Sequence, residues 1–222
     1  MKELVDWAGK RGMSTERLGF SNARMAYDDL IARFLLTLEQ GRLTEKITAL
    51  RITARYRAKE PFDEAIIETA KKSLDHILNL SVINRTEQRL KWNKATVHTW
   101  LCMTAKLIRE DAFHDLSPSL EATIETIERL RGARRSGHSG VPLEVFNDRA
   151  TARVADVSSV VLRDFTAWMI LVREYYPEAP INSFLSPIPK AWSLLQEIGD
   201  SAPEPALSSF SLTSHWGGDG WF

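Results

Sequence analysis

Arg51, Arg55 and Lys59 recur every four residues, so on a helix they make one straight line of cations, with the hydroxyls of Thr44 and Thr48 beside it. Such a row suits a phosphate backbone, which is held by charge and by hydroxyl donors and carries no base-edge code. The row belongs to a basic stretch, since Arg42 to Lys59 contains six bases and one acid. Arg85 to Arg109 again carries six bases and one acid, and Arg129, Arg131, Arg134 and Arg135 form a third cluster. With 29 bases against 29 acids the chain has no net charge, so these are local concentrations in a neutral protein. Glu110 to Glu128 supplies six of the balancing acids and no base. Arginines outnumber lysines 19 to 10, and the guanidinium fork matches phosphate oxygens better than an ammonium does. The candidate RNA-binding residues are Arg42, Lys46, Arg51, Arg55, Lys59 and Lys94, with Arg89, Arg134 and Arg135 as secondary positions. The plain alternative is a solvated helix face. Leu43, Ile47, Leu50 and Ala54 share a separate face that reads as the core side, so the fold is expected not to need the charges of Arg51 and Arg55.

Other chemistry finds little support. The sequence contains no GxxxxGK[ST], GxGxxG, HExxH or GxSxG pattern. Its histidines, at 76, 98, 114, 138 and 215, lie too far apart to suggest a metal cluster, and His98 on an apolar helix reads as a packed histidine. Arg131 and His138 have the R-x6-H spacing of the small helical HEPN ribonucleases, but Gly132 and Gly137 make that stretch read as a loop. The single cysteine, Cys102, excludes an internal disulfide and a cysteine-based metal site, fits a reducing compartment, and reads as a buried small hydrophobe. No enzyme activity, metal or cofactor is expected.

The elements that must position the cations are helices. Ser21 is expected to cap a long helix ended by Gly41 in a left-handed stop, and Thr44 to cap one that stops before Pro61. Asp63 caps the next helix, and Asn84 begins another that runs to Glu110. Ser117-Pro118 opens a further helix, 135–142 is a Gly/Ser/Pro loop, and helices are expected from about Asn147 to Tyr176 and from Lys190 to Ile198. The 222 residues are 44% apolar, enough for a core, and no apolar run of about 18 residues provides a membrane span or signal peptide. The fold class is all-α. One domain or two small lobes fit this length; the expected division is 1–116 and 117–199, with a basic groove between them, followed by an aromatic tail, 200–222.

Four blocks in order resemble the nucleocapsid proteins of phleboviruses, tenuiviruses and their relatives, segmented negative-strand RNA viruses. ELVDWAGKRGMS (3–14) is similar to the family's aromatic helix leading to Gly, an apolar residue and Asp, and DLIARFLLTLEQGRLTEK (29–46) to its apolar helix ending in a Thr-Arg-Gly-Asn-Lys turn. EQRLKWNKATVHTWLC (87–102) resembles its Leu-Thr-Leu-Ser-Arg helix leading to Trp-x-Cys, with Lys94 where the family has Arg and with Trp100 and Cys102 keeping the last spacing. NSFLSPIPKA (182–191) is similar to an Asn-Ser-Phe-x-x-Pro-x-x-x-Ala pattern. Gln40 replaces the arginine of the Thr-Arg-Gly turn and Leu43 its lysine, leaving Arg42 and Lys46 as that turn's charges.

The resemblance implies a two-lobed helical protein that coats single-stranded RNA of any sequence and polymerises along it. It also implies a viral polymerase as a further partner, and the virion or host cytoplasm as its location. The family's N-terminal docking arm is nearly absent here, so self-association is expected to use Trp7 and the tail aromatics Phe210, Trp216, Trp221 and Phe222 on an adjacent subunit. The rivals are a helical adaptor that binds only protein and the HEPN-like ribonuclease.

Overall fold

A computed structural model describes residues 2–84, 92–132, 141–176, 187–198 and 216–222. Among them the chain is all-α: α1 Lys2–Lys10, α2 Thr15–Leu18, α3 Ala26–Gln40, α4 Ala49–Arg57, α5 Glu64–Asn79, a 3-10 turn Ser81–Asn84, α6 Lys94–Arg109, α7 Phe113–Gly132, α8 Val141–Thr151, α9 Val157–Tyr175 and α10 Pro187–Ile198. No helix of the described residues is long and apolar enough to cross a membrane.

Local chemistry sets several of these ends. Gly41 adopts φ +67 and closes α3, its N–H donating to the carbonyls of Thr37 and Leu38. The Asp63 carboxylate accepts from Ala65 N at 2.7 Å, and Asn93 forms a capping box with Thr96. Other ends depart from the sequence reading. α3 starts at Ala26 and not after Ser21, because Arg24 and Met25 have φ of +55 and +57 and cannot belong to a right-handed helix. α4 starts five residues after Thr44, with Thr48 as its cap, and α6 starts at Lys94, not near Asn84. Pro142, expected in a loop, occupies the first turn of α8, where its missing N–H costs nothing. The last helix begins at Pro187, three residues before Lys190. Residues 116 and 117, where the sequence predicts the lobes to meet, lie inside α7, and buried apolar residues from Leu4 to Trp221 belong to one contiguous cluster.

α6 is the central element. Every residue from Ala95 to Leu107 is buried, and the helix touches α3, α5, α7, α8 and α9. Its polar side chains are satisfied locally or by neighbours. Thr99 and Thr104 donate to carbonyls four residues back, and His98 meets the Thr37 hydroxyl at 3.2 Å. Trp100 donates its indole N–H to Glu128 at 2.9 Å, and Arg131 reaches the same carboxylate at 2.6 Å while Trp100 stacks on Phe146.

The expected long helix over 147–176 is broken into α8 and α9 at 152–156, where Arg153 has φ +47. The buried Arg163 guanidinium takes the carbonyls this break releases, donating to Arg149 O at 2.6 Å and Val154 O at 3.0 Å. Residues 216–222 close the core on the far side of α9. Trp216 is wholly buried against Phe165 and donates to Asp164 at 2.8 Å; Lys106 donates to the Trp221 carbonyl. Trp216 and Trp221, expected to serve self-association, are buried against the chain's own core, where two indoles bury more apolar surface than a solvated tail allows.

Replacing Trp100 by Ala should cost about 3–5 kcal/mol in urea unfolding, because it removes a large buried ring and one of the donors to buried Glu128. Burial raises the Asp164 carboxyl from its ordinary 3.8 to about 7, against the opposing pull of the Trp216 indole, Lys106 and Arg163. The folded chain therefore keeps a proton there that the unfolded chain has lost, so this group's contribution falls as pH rises from about 4 to about 7. Asp164→Asn retains an acceptor for Trp216 and removes the titration. Its melting temperature should match wild type below about pH 4 and exceed it at pH 8.

Candidate nucleic-acid interface

The segment between α3 and α4, residues 42–48, lies over α3 and α6 and faces the break between α8 and α9. A cavity of about 140 Å³ opens among them. Its floor is apolar, from Leu30, Leu43, Ile47, Ala95, Val157 and Val160, and Arg33, Lys94 and Arg163 also line it. Lys46 reaches across its mouth to Asp156 at 2.7 Å.

The polar edge of α3 gathers two cations around one acid. Asp29 and Arg33, one helical turn apart, pair at 3.0 Å, and Lys94 at the start of α6 reaches the same carboxylate at 2.9 Å. Burial raises the Asp29 carboxyl, but Arg33 and Lys94 outweigh that and hold it below its ordinary value. Arg33 also donates to Ile47 O at 2.5 Å, which fastens the overlying segment to α3. Deeper, burial and then Arg163 and Arg33 push His98 down to about 3, while burial pushes the Cys102 thiol well above its ordinary value. At 3.7 Å from Cys102 this imidazole is neutral and the sulfur protonated, so the pair is packing, as the sequence reading of both residues has it.

α4 is turned the other way from the sequence reading. Leu50, expected in the core, is 83% exposed, Ala54 is exposed, and the helix has no buried residue. The side facing α3 instead carries Arg51 and Arg55. Arg55 binds both oxygens of Glu39, the closest at 2.7 Å, donates to the carbonyls of Glu60 and Pro61, and lies 4.3 Å from the Phe62 ring. Arg51 pairs with Glu45, and the Gln40 amide, turned to accept, receives its Nε at 3.1 Å and Nη2 at 3.3 Å. A nine-residue helix has too little apolar surface to dock by burial, so guanidinium–carboxylate forks fasten it. The expectation that the fold does not need these charges is therefore corrected.

Arg42 is held on two sides, by Glu45 at 2.8 Å and Asp219 at 2.6 Å. Lys59 is exposed just past α4, at φ +55. Of the sequence-predicted cations Lys94 lines this cavity, Lys46 pairs with Asp156 on the adjoining segment, and Arg42, Arg51 and Arg55 line a second depression between α3 and α4, where Arg55 also braces α4. Trp7 is half-buried against the chain's own core with Arg11 over its ring, and Phe222 N donates to Gly41 O at 3.2 Å. Arg89, Arg134, Arg135, Phe210 and His138 lie outside the described residues. Arg131, half of the HEPN-type spacing, is spent on Glu128 and Asn147.

Sequence reasoning missed Arg33, Asp29 and Glu45, of which only the i,i+4 spacing of Asp29 and Arg33 gives a signal. Asp156 and Asp219 meet their lysine and arginine over separations of 110 and 177 residues and give none. No protein family, curated protein or solved structure matches the chain.

Arg55→Ala should release α4 from α3. Destabilisation of roughly 1–3 kcal/mol is expected, with faster amide exchange confined to 49–57. Unchanged exchange there would show that α4 docks by other means.

Proposed function

We propose that the protein is nucleocapsid-like, binding single-stranded RNA without sequence specificity in a basic groove between two helical lobes and polymerising along it. The observation that carries this reading is that Arg33 and Lys94 line a mostly apolar cavity, with Lys46 on the adjoining segment and Arg42 and Arg51 around the neighbouring depression. Rim cations suit phosphates and an apolar floor suits the faces of bases, a combination that accepts any sequence. No base-reading helix or metal-bound finger is invoked. The order of the four sequence blocks supports the same reading, and it carries the polymerisation, the polymerase partner and the virion or cytoplasmic location.

A protein-binding adaptor is the second reading, favoured by the exposed Leu50 and Met25, 83% and 63% accessible, and by the pairing of the cavity's cations with the chain's own acids. The ratio of absorbance at 260 and 280 nm of freshly purified protein separates the two: nucleic acid carried through purification supports encapsidation, and clean protein supports the adaptor. Lys46 and Lys94 have side chains about half exposed, 54% and 48%, so Lys46→Gln with Lys94→Gln should leave circular dichroism unchanged. The double variant should bind oligo(U) about tenfold more weakly and lower the salt-dependence slope by about 1.4, or 0.7 per cation. Indifference of binding to both salt and variant would sink the reading.

A further inference from the structure

Glu45 occupies an unusual position for a carboxylate beside so many bases. It lies in the irregular segment between Gly41 and Thr48, and its side chain is 25% exposed. One oxygen accepts from Arg42 Nε at 3.0 Å and Nη2 at 2.8 Å, and the other pairs with Arg51. The Arg42 fork and the Arg51 Nη1 therefore converge on one carboxylate, and two guanidinium groups around one oxyanion are an arrangement that recognises phosphate. The site has room, because a depression of about 450 Å³ between α3 and α4 is lined by Arg42, Glu45 and Arg51 together with Leu36, Glu39 and Gln40. Glu45 also lines the main cavity, so its carboxylate stands where the two depressions meet.

The two arginines and the acid are supported very differently. Arg51 rises from α4 and is oriented by Gln40. Arg42 sits in a turn pinned by the C-terminal segment: Leu43 N donates to Gly217 O at 2.7 Å and Phe222 N to Gly41 O at 3.2 Å. The close approach leaves no room for a side chain at Gly217, where an added Cβ would come 2.8 Å from Leu43 Cβ. Asp219 steadies Arg42 from outside at 2.6 Å. Glu45 is held through its carboxylate by those two arginines, while its backbone segment is fastened by Arg33 and Lys46.

We infer that Glu45 is an internal plug in a two-arginine phosphate subsite. A phosphodiester, with one negative charge and two free oxygens, replaces its carboxylate on Arg42 and Arg51 while the Glu45 side chain rotates outward and its segment stays in place. The exchange conserves charge at the arginines, so the subsite is not left with an unpaired pair of cations in either state. Gln40, standing where the resembling family carries arginine, serves here by aiming Arg51.

The inference rests on the RNA-binding reading, and the test separates them. Wild type and Glu45→Gln are each titrated with a six-nucleotide oligo(U), followed by fluorescence anisotropy. They are also titrated with inorganic phosphate, followed through the arginine Nε–Hε resonances. The variant should bind the oligonucleotide three- to tenfold more tightly, and phosphate should move the Arg42 and Arg51 resonances together at lower concentration than in wild type. If the oligonucleotide binds both proteins equally, the plug is wrong and the RNA reading stands. If phosphate moves both resonances but no RNA binds, the subsite stands and the RNA reading falls. Should the variant fail to fold, wild type alone decides: Arg42 and Arg51 resonances must shift together on phosphate addition, and two silent resonances overturn the inference.

Discussion

A helix buried on every side must find partners for each polar group it carries, and α6 imposes that requirement on its surroundings. Its threonines turn hydroxyls back onto its own carbonyls, so they act as small apolar residues toward their neighbours. The groups that cannot do so reach outward. Trp100 recruits Glu128 and through it Arg131, tying α7 to α6. Lys106 recruits the Trp221 carbonyl, and Asp164 on the adjoining α9 recruits the Trp216 indole, which brings the C-terminal segment into the core. In a low-dielectric interior each of these bonds is costly to lose, so the packing around α6 is specified by polar contacts as well as by volume.

The cavity is what remains at the amino-terminal end of α6, where the chain leaves the core and charged residues begin. Lys94 opens the helix there, α3 turns its Asp29–Arg33 edge toward it, and Arg163 holds the α8–α9 break in place by its carbonyls. The bases around the opening are matched by acids near them in sequence, Asp29 and Glu45, and by acids far away, Asp156 and Asp219. Their pairing offsets the repulsion that closely gathered cations would exert in the free protein, and a polyanion would have to exchange with them. Net neutrality and a local gathering of bases are therefore compatible, since acids both near and far in sequence pair with them.

The same physics explains how much of this could be read beforehand. Apolar periodicity, the left-handed stop at Gly41 and the cap at Asp63 are local, so the all-α class and several helix ends were legible from residue order. The basic character of 42–59 was legible too, because composition is local. The direction in which that charge points was not. α4 carries two competing faces of similar length, and an acid on α3, Glu39, decides that the arginine face turns inward while Leu50 faces water. Sequence by itself determined the helices, the central apolar segment that becomes α6, and where bases are concentrated. Tertiary structure alone decided which bases share a cavity, which acids hold them, and that Trp216 and Trp221 close the chain's own core. Those outcomes depend on contacts between residues tens to more than a hundred positions apart, and helical periodicity carries no information about such pairs.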